Sequence, residues 1–374
     1  MLTSELDYEL PSELIAQTPI EPRDASRLLI VRRDTGELTH HMFRDIGEYL
    51  RPGDLLVANE SRVIPARLRA RKARTGGAVE ILLLRRLDDL MWQTLIGGKR
   101  MRPGARLEVL DKSGQCVAKA QVVEMHEGPQ CNVRFDQPVE SLLEAGQVGS
   151  MPLPPYIHTP LTNPERYQTI YSHTLGSAAA PTAGLHFTPD LMVALRRQGV
   201  EFAFVTLHIG LDTFKPVYEE TVEEHHIHTE WCSLSPEVAR QINEARLAGR
   251  RVIAVGTTSV RVLESAARKS QIANSKSQIS NSKPQSENCA TDWAGVTCGW
   301  QTVSAFDGFT DLYIYPGFQF RVVNAMLTNF HLPRSTLLAL VSAFAGRDLI
   351  FRAYQAAIQE RYRFYSFGDA MLIL

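Results

Sequence analysis

The segment from about residue 66 to residue 150 constrains the fold more than any other part of the chain. It consists of short β-type runs, the first ARLRARK and the last CNVRF, separated by turn signals such as Gly76-Gly77 and Gly97-Gly98. Many short strands at this spacing are typical of a small all-β barrel or sandwich. We therefore expect residues 66–150 to form a separate β-barrel domain.

Strands and helices alternate along the rest of the chain. Thr188 can cap a helix that ends before Gly199, and the strand-like run EFAFVTLHI (201–209) follows. Repetition of this order predicts a mostly parallel sheet with helices on its faces. The predicted fold class is α/β, and residues 1–65 and 151–374 form the large domain into which the barrel is inserted.

One stretch of the large domain lacks the apolar residues that packing requires. Residues 269–294 are rich in Ser, Asn, Gln and Lys and contain the near-duplicates SQIANSK and SQISNSK. This composition is typical of disorder, so we predict a disordered surface insertion there.

The overall composition predicts a cytoplasmic protein. Hydrophobic residues make up 44% of the 374, and the longest apolar stretch, 337–345, is too short to span a bilayer. The five cysteines form no C-x-x-C pair, which argues against a disulfide framework or a zinc site. The opening residues, MLTSELDYEL, do not resemble a signal peptide.

Charge is unevenly distributed along the chain. The formal net charge is −1, but twelve basic residues and only three acidic ones lie between Arg62 and Arg106. Such a patch can neutralise the phosphates of a nucleic acid, or it can be a solvated face of strands.

Polar segments that follow apolar runs are the strongest indication of an active site. They are PTAGLHFT (181–188), VTLHIGLDTF (205–214) and the short segments 256–259, 328–331 and 366–369. Glycine beside polar residues marks sharp turns or close approach to a ligand. Because α/β folds bind ligands at the carboxyl ends of their strands, these segments together predict one composite site. Each taken alone could be an ordinary turn.

Two further patterns indicate binding. The segment RVIAVGTTSVRVLESAA (251–267) reads as strand, turn and helix, and its helix start could hold a carboxylate or a phosphate, or be a plain helix cap. In HHIHTE (225–230), His226, His228 and Glu230 would share one face of a strand, where they could bind zinc or form a polar rim. We predict no metal site.

Together these segments resemble the S-adenosylmethionine:tRNA ribosyltransferase-isomerases of queuosine biosynthesis. The resemblance covers nearly the whole chain. Its blocks are LDYELPSELIAQTPIEPRDASRLL, GDLLVANESRVIPARL, LPPYI, ERYQTIY, AAPTAGLHFT, VTLHIG, HTEW, VIAVGTTSVRVLES, YPGFQF, TNFHLPRSTLLALVSAFAG and YRFYSFGDAML.

The resemblance implies a larger α/β domain with a smaller β-barrel, and a specific reaction. The ribosyl part of S-adenosylmethionine is transferred, adenine and methionine are released, and an epoxy-cyclopentane is built on 7-aminomethyl-7-deazaguanine. That base is already present at the wobble position of a tRNA with a GUN anticodon. No cofactor beyond S-adenosylmethionine is expected, because the sulfonium activates its neighbours, and we expect a monomer.

This chemistry sets requirements for side chains. A proton beside the sulfonium must be removed, and adenine leaves more easily when a ring nitrogen is protonated. We predict these base and acid roles for His186, His208 or His331, with Asp369 as an orienting partner. The predicted substrate contacts are Thr182, Gly184, Thr257, Thr258, Ser259, Arg261, Asn329 and Tyr167. The predicted tRNA contacts are Arg67, Arg69, Arg71, Lys99 and Arg100.

Some assignments stay open at this level. Thr257, Thr258 and Ser259 could receive the methionine carboxylate or an RNA phosphate, and Tyr167 could stack on a base or be a core aromatic. Asp212 stands where the family pattern has glycine, and Glu60 where it has aspartate. Two other functions also remain: a tRNA-binding protein without catalysis, and a metal-dependent hydrolase centred on His226, His228 and Glu230.

Overall fold

The computed structural model describes residues 1–98, 101–126, 128–210, 216–280 and 302–374, with the side chains of 271–280 left out. Contacts divide the chain into two compact units. The first contains Met1–Glu60, Pro181–Leu207 and the C-terminal part of the chain. The second contains Ser61–Ala180 and a short segment that begins at His208. Within the described part, no helix is both long and apolar enough to cross a membrane.

The strands are numbered in chain order over both units. They are β1 (Arg27–Val31), β2 (Leu38–Met42), β3 (Leu55–Asn59), β4 (Ser61–Val63), β5 (Arg67–Lys72), β6 (Ala78–Arg86), β7 (Met91–Gly97), β8 (Arg106–Leu110), β9 (Cys116–Met125), β10 (Gln130–Phe135), β11 (Thr174–Ser177), β12 (Glu201–Leu207), β13 (Glu230–Leu234), β14 (Val252–Val255), β15 (Phe306–Thr310), β16 (Ala325–Asn329) and β17 (Ala370–Ile373).

A mixed sheet forms the centre of the first unit. Among the described residues it has nine strands, in the order β15-β13-β12-β3-β14-β16-β17-β1-β2. The four central strands β12, β3, β14 and β16 are parallel, as predicted, while β17 runs antiparallel to β16 and parallel to β1. Pairs at both sides, such as β1 with β2, are antiparallel. The short turn at Gly36, with φ +72°, allows only an antiparallel neighbour, since a parallel crossover needs many more residues.

Helices connect the strands of this sheet and pack on it. Side chains of Thr188, Ser235 and Ser335 accept backbone N–H groups at three helix starts, and the cap predicted at Thr188 is thereby confirmed. The α-helices, including α1 of the second unit, are α1 (Val139–Glu144), α2 (Pro189–Arg197), α3 (Pro236–Leu247), α4 (Thr257–Ser280), α5 (Thr336–Ala345) and α6 (Arg347–Gln359).

Helix α4 is longer than the sequence predicts. Its first turns are buried, and it continues as helix through Ser280, so the prediction of disorder from residue 269 is wrong for 269–280. A helix that is already nucleated adds residues at little cost, and this polar stretch contains neither Gly nor Pro to stop it. Most of the remainder of the predicted insertion, from residue 281, lies outside the described residues.

A closed barrel forms the main part of the second unit. Its strands follow the order β10-β7-β6-β5-β8-β9, and they lie within residues 66–150, where the sequence predicts a series of short strands. Side chains alternate between interior and solvent, as in β5, where Leu68 and Ala70 are buried while Arg69 and Arg71 are exposed. The prediction of an α/β fold with an inserted β-barrel is confirmed. The same unit also holds the parallel pair β4 and β11.

Candidate active site

Polar residues of the first unit gather at one edge of the sheet, which we call the carboxyl edge. The parallel strands β3, β14 and β16 end there, at Asn59, Val255 and Asn329. Because β17 is antiparallel to β16 and pairs Ala370 with Asn329, Asp369 lies at the same edge. Open α/β sheets bind ligands at this edge, so the placement agrees with the composite site predicted from sequence.

His186 is held at the carboxyl edge by hydrogen bonds to both ring nitrogens. It ends a short 3-10 helix, Thr182–His186, which follows Pro181. The Nδ2 of Asn329 donates to Nε2 at 3.1 Å, and the Oγ of Ser26 lies 2.7 Å from Nδ1. An amide nitrogen can only donate, so Nε2 accepts and the proton is on Nδ1, which donates to Ser26.

The environment of His186 keeps its ring neutral. Burial, together with the charges of Arg363 and Arg23, lowers the pKa of His186 to about 3. The ring also stacks on Phe43, with centroids 4.9 Å apart. A ring that is neutral and has both nitrogens occupied is well suited to holding its neighbours in position.

Asn329 joins three of the predicted site residues. Its Oδ1 accepts from the Oγ1 of Thr182 at 2.9 Å, while its Nδ2 also reaches the carbonyl oxygen of Asp369 at 3.3 Å. Thr182, His186 and Asn329 therefore form one network, as the sequence predicts for residues of a common site. Gly184 lies in the same 3-10 helix and is buried.

Asp369 supports this network in a different way from the one predicted. Its carboxylate accepts from the backbone N–H groups of Arg27, at 2.9 Å, and Arg363, at 2.7 Å, and burial raises its pKa. It is linked to His186 through its own carbonyl oxygen and Asn329. The predicted carboxylate–histidine pair is absent among the described contacts, because the backbone amides occupy the carboxylate oxygens.

His331 follows β16 and is fixed by its backbone and its ring. The Oη of Tyr8 donates to its carbonyl oxygen at 2.5 Å, and its N–H donates to the Oη of Tyr354 at 2.7 Å. Its Nε2 lies 2.8 Å from the Oγ1 of Thr328. Burial lowers the pKa of His331 to about 3, so this ring is neutral too. Unlike His186, it uses only one ring nitrogen in contacts with described residues.

The start of α4 lies next to the His186 segment. A Cβ placed on Gly256 would lie 3.6 Å from the Cβ of Ala183, within the 3-10 helix that holds His186. The hydroxyl of Ser259 donates to the carbonyl oxygen of Val255 at 2.9 Å, so it stabilises the strand–helix turn. Thr257 and Thr258 are buried beside it.

Arg261 is committed to a buried ion pair. Its Nη1 contacts the carboxylate of Glu230 at the start of β13, and its Nε donates to the carbonyl oxygen of Leu312 at 3.1 Å. The carboxylate of Glu230 is therefore occupied by Arg261. His226 and His228 are exposed in a loop and do not lie on the predicted strand face. Across the described chain, no three His, Cys, Asp or Glu side chains are grouped as metal ligands.

Two predicted residues lie in the second unit. Burial lowers the pKa of His208 to about 4, and its ring packs against Gly176, where a Cβ would lie 2.9 Å from Cε1 and Nε2. Tyr167 is fully buried, and burial raises its pKa. This placement favours the reading of Tyr167 as a core aromatic.

The predicted tRNA contacts on the barrel already have partners on the protein. Arg67 pairs with Glu80 at 3.4 Å and Arg71 with Glu108 at 2.6 Å, whereas Arg69 donates to the carbonyl oxygen of Asp111. The other two predicted contacts, Lys99 and Arg100, lie outside the described residues, as does Asp212.

Two members of the site lie outside the segments that the sequence predicts for it. Ser26 and Phe43 contact the ring of His186 directly, whereas Thr328, which contacts His331, belongs to the predicted segment 328–331. Ser26 stands in EPRDASR, a segment whose charged residues are the more obvious candidates for binding. Only its position before β1, beside β17, could have indicated it.

Comparison with known proteins gives matches along the whole chain. Residues 3–373 match the family model described as Queuosine biosynthesis protein. Two proteins named S-adenosylmethionine:tRNA ribosyltransferase-isomerase are each 50% identical, with all of both chains covered: one from Symbiobacterium thermophilum over 375 residues and one from Carboxydothermus hydrogenoformans over 379. A crystal structure of S-adenosylmethionine tRNA ribosyltransferase from Thermotoga maritima is similar at a TM-score of 0.51 and 39% identity, covering 99% of this chain and 100% of its own.

Proposed function

Because the chain belongs to the queuosine biosynthesis protein family, whose relatives are S-adenosylmethionine:tRNA ribosyltransferase-isomerases, we propose that it carries out that reaction. The enzyme transfers and isomerises the ribosyl part of S-adenosylmethionine onto 7-aminomethyl-7-deazaguanine at the wobble position of a GUN-anticodon tRNA. The products are epoxyqueuosine-tRNA, adenine and methionine. It works as a cytoplasmic monomer, and its chemistry requires no further cofactor, since the sulfonium itself activates the adjacent carbon.

The observation that carries the proposal is the network of Thr182, His186 and Asn329 at the carboxyl edge. Segments distant in sequence bring a neutral imidazole, an amide and a hydroxyl together where α/β sheets bind ligands. Proton removal beside a sulfonium calls for a neutral base, and burial keeps His186 and His331 neutral through the physiological pH range.

The two histidines of the first unit differ in what they offer a substrate. Both ring nitrogens of His186 are occupied, so His186 acts as a positioning residue that fixes Asn329 and Thr182. The Nδ1 of His331 makes no hydrogen bond to the described protein, so His331 is the better base of the two. If its Nε2–H donates to Thr328, the lone pair of Nδ1 is left to accept a proton.

The barrel supplies the tRNA contacts in this proposal. Arg67, Arg69 and Arg71 lie along β5 with their side chains toward solvent, where they would grip phosphates of the anticodon stem-loop. The alternative function, a metal-dependent hydrolase, would need Glu230 as its third metal ligand. Glu230 is already paired with Arg261, which argues against this alternative.

A product assay tests the proposal. The protein is mixed with S-adenosylmethionine and tRNA bearing 7-aminomethyl-7-deazaguanine, and free adenine and methionine are measured by chromatography. Equal release of both products, only with the modified tRNA, is expected. S-adenosylhomocysteine would instead reveal a methyltransferase, and tRNA binding without adenine release would favour the non-catalytic alternative. Near-normal turnover after His186→Ala, His208→Ala and His331→Ala would contradict the assignment of the base and acid to these histidines.

A further inference from the structure

The amino-terminal end of α4 contains two buried donors that have no partner in the described chain. They are the Oγ1 of Thr258 and the Nη2 of Arg261. Thr258 is 7% exposed and Arg261 is 4% exposed, so little solvent reaches either group. Roughly nine in ten buried polar groups in proteins are hydrogen-bonded, so two unpartnered donors on one helix end need an explanation.

Thr258 and Arg261 lie on one face of the helix, and Thr258 stands in its first turn, where the backbone N–H groups have no partner within the helix. Residues three apart are neighbours on a helix surface. The first backbone bond of α4 runs from Val260 N to Gly256 O, so the N–H groups of Thr257 and Thr258 precede the helical ladder. The Oγ1 of Thr258 lies 3.7 Å from the Cβ position of Gly256 and so faces the turn before the helix.

The chemistry of this helix end suits an anion. A helix start carries a partial positive charge, and backbone N–H groups, a hydroxyl and a guanidinium all donate hydrogen bonds. Glu230 and the Leu312 carbonyl hold the other nitrogens of Arg261 in place, which leaves Nη2 fixed and uncommitted. The hydroxyl of Ser259 does not belong to this set, since it is bonded to Val255.

Resting on the proposed function, we infer that this end of α4 binds the carboxylate of the methionine portion of S-adenosylmethionine. Thr258 and the free N–H groups hold the carboxylate, and Nη2 of Arg261 supplies the charge. The alternative anion is a tRNA phosphate. Because Thr257, Thr258 and Ser259 are all buried, a small carboxylate inside the first unit fits better than the backbone of a large RNA.

Thr258→Val provides the test, because valine keeps the shape and removes the hydroxyl. Among the described residues that hydroxyl has no partner, so the melting temperature should stay the same or rise. Binding of S-adenosylmethionine and of decarboxylated S-adenosylmethionine is measured by calorimetry for both forms. We expect the unaltered protein to prefer the carboxylated ligand by about ten-fold or more, and the variant to lose most of this preference through weaker binding of that ligand alone.

Two matched variants complete the design. Thr258→Ser restores the hydroxyl and should restore the preference. Ser342→Ala removes a buried hydroxyl that is likewise unpartnered, but within α5, and should leave the preference unchanged. Arg261 is not replaced, because a buried Glu230 without its partner would destabilise the fold.

The other outcomes contradict the inference. If Thr258→Val weakens both ligands equally or neither, the carboxylate does not bind here. If it weakens tRNA binding and leaves S-adenosylmethionine binding intact, the site belongs to a phosphate. If the unaltered protein binds no S-adenosylmethionine and releases no adenine, the proposed function fails and the inference fails with it. If it releases adenine normally but Thr258→Val has no selective effect on the carboxylated ligand, the inference alone fails.

Discussion

The side-chain amide of Asn329 donates to Nε2 of His186, although the two residues are 143 positions apart in sequence. This bond sets the tautomer of the imidazole, because an amide cannot accept through its nitrogen. It also connects the end of β16 to the 3-10 helix at Thr182–His186. The site therefore depends on an amide, which a carboxylate of the same shape cannot replace.

Asn329→Asp should lower turnover by at least about ten-fold with only a moderate loss of stability. The new carboxylate would accept from Nε2, which raises the pKa of His186 and reverses its hydrogen bonding. The measurement is kcat as a function of pH, in which a histidine titration should appear. Asn243→Asp is the control, since Asn243 is a buried amide bonded to Thr302 and Val303. Equal kcat values for the Asn329 variant and the unaltered enzyme would contradict the role given to this bond.

Mild acid should destabilise the protein. Burial lowers the pKa of His186 and His331 to about 3, whereas an unfolded histidine binds its proton near pH 6.5. The unfolded state thus binds more protons between these values, so stability is complete above about pH 6.5 and falls as the pH drops. Each histidine contributes up to about 1.4 kcal/mol per pH unit.

Melting temperatures between pH 7.5 and pH 5 test this expectation. His186→Gln should flatten the dependence, because glutamine has no proton to gain. His126→Gln, at an exposed position, should leave the slope as it is. An unchanged slope in the His186 variant would show that another group is responsible.

Gly176→Ala should displace His208. Gly176 has φ +136°, and its Cβ would lie 2.9 Å from the Cε1 and Nε2 of the His208 ring. If His208 takes part in catalysis, the Gly176→Ala variant should lose activity to about the same extent as His208→Ala, because the first change displaces the imidazole and the second removes it. Gly114→Ala serves as control, since its φ is +89° but nothing lies within 4 Å of the new methyl group. Full activity of Gly176→Ala would argue that the position of His208 does not matter.

Arg69 and Arg71 should contribute unequally to tRNA binding. Arg71 pairs with the carboxylate of Glu108, whereas Arg69 donates to a backbone carbonyl and keeps its net charge available. Arg69→Gln should therefore reduce the slope of log affinity against log salt by about 1, and Arg71→Gln by less. Filter binding at several salt concentrations gives both slopes. If both variants have the same slope of log affinity against log salt as the unaltered protein, this face of β5 does not contact the tRNA.

The pair Asp54–Arg251 should matter for stability and not for chemistry. Asp54 is buried and accepts from the Nε of Arg251 at 2.9 Å, and it lies before β3, at the opposite end from the carboxyl edge. Asp54→Ala would leave the Arg251 guanidinium partly buried without its partner, which costs about 3 kcal/mol. Urea unfolding should show this loss, while kcat of the remaining folded enzyme stays normal. An unchanged unfolding midpoint would show that hydration of the Arg251 guanidinium offsets the loss of the ion pair.

Local sequence signals predicted the elements well. The caps at Thr188, Ser235 and Ser335 and the six strands of the barrel follow from patterns within a few residues of each other. The mixed character of the sheet could not be read in this way, because the place of β17 between β16 and β1 depends on contacts across almost the whole chain. The length of α4 was missed because composition says little about how far a nucleated helix continues.

In the candidate site too, local sequence patterns predict some features, while others depend on contacts between distant segments. His186, Asn329 and Thr182 were predicted from their polar segments, and the structure brings them together. The sequence predicts that Asp369 orients a histidine, whereas its carboxylate accepts from backbone amides, which no side-chain pattern reveals. The sequence does not indicate Ser26 for a related reason. Its role depends on the contact with the ring of His186, which is distant in sequence.

The position of β17 also determines when the site can first exist. The backbone of Arg27 bonds to the carboxylate of Asp369, 342 residues further along the chain. When a ribosome has synthesised the first three hundred residues, β1 and Ser26 are therefore present. The strand that pairs with β1, which is β17, has not yet been made. Pairing over such a distance is slow, so the pocket forms late, after the barrel has had time to fold through its local hairpins. A growing chain thus carries no working site, and exposure of the unpaired β1 edge lasts through most of synthesis.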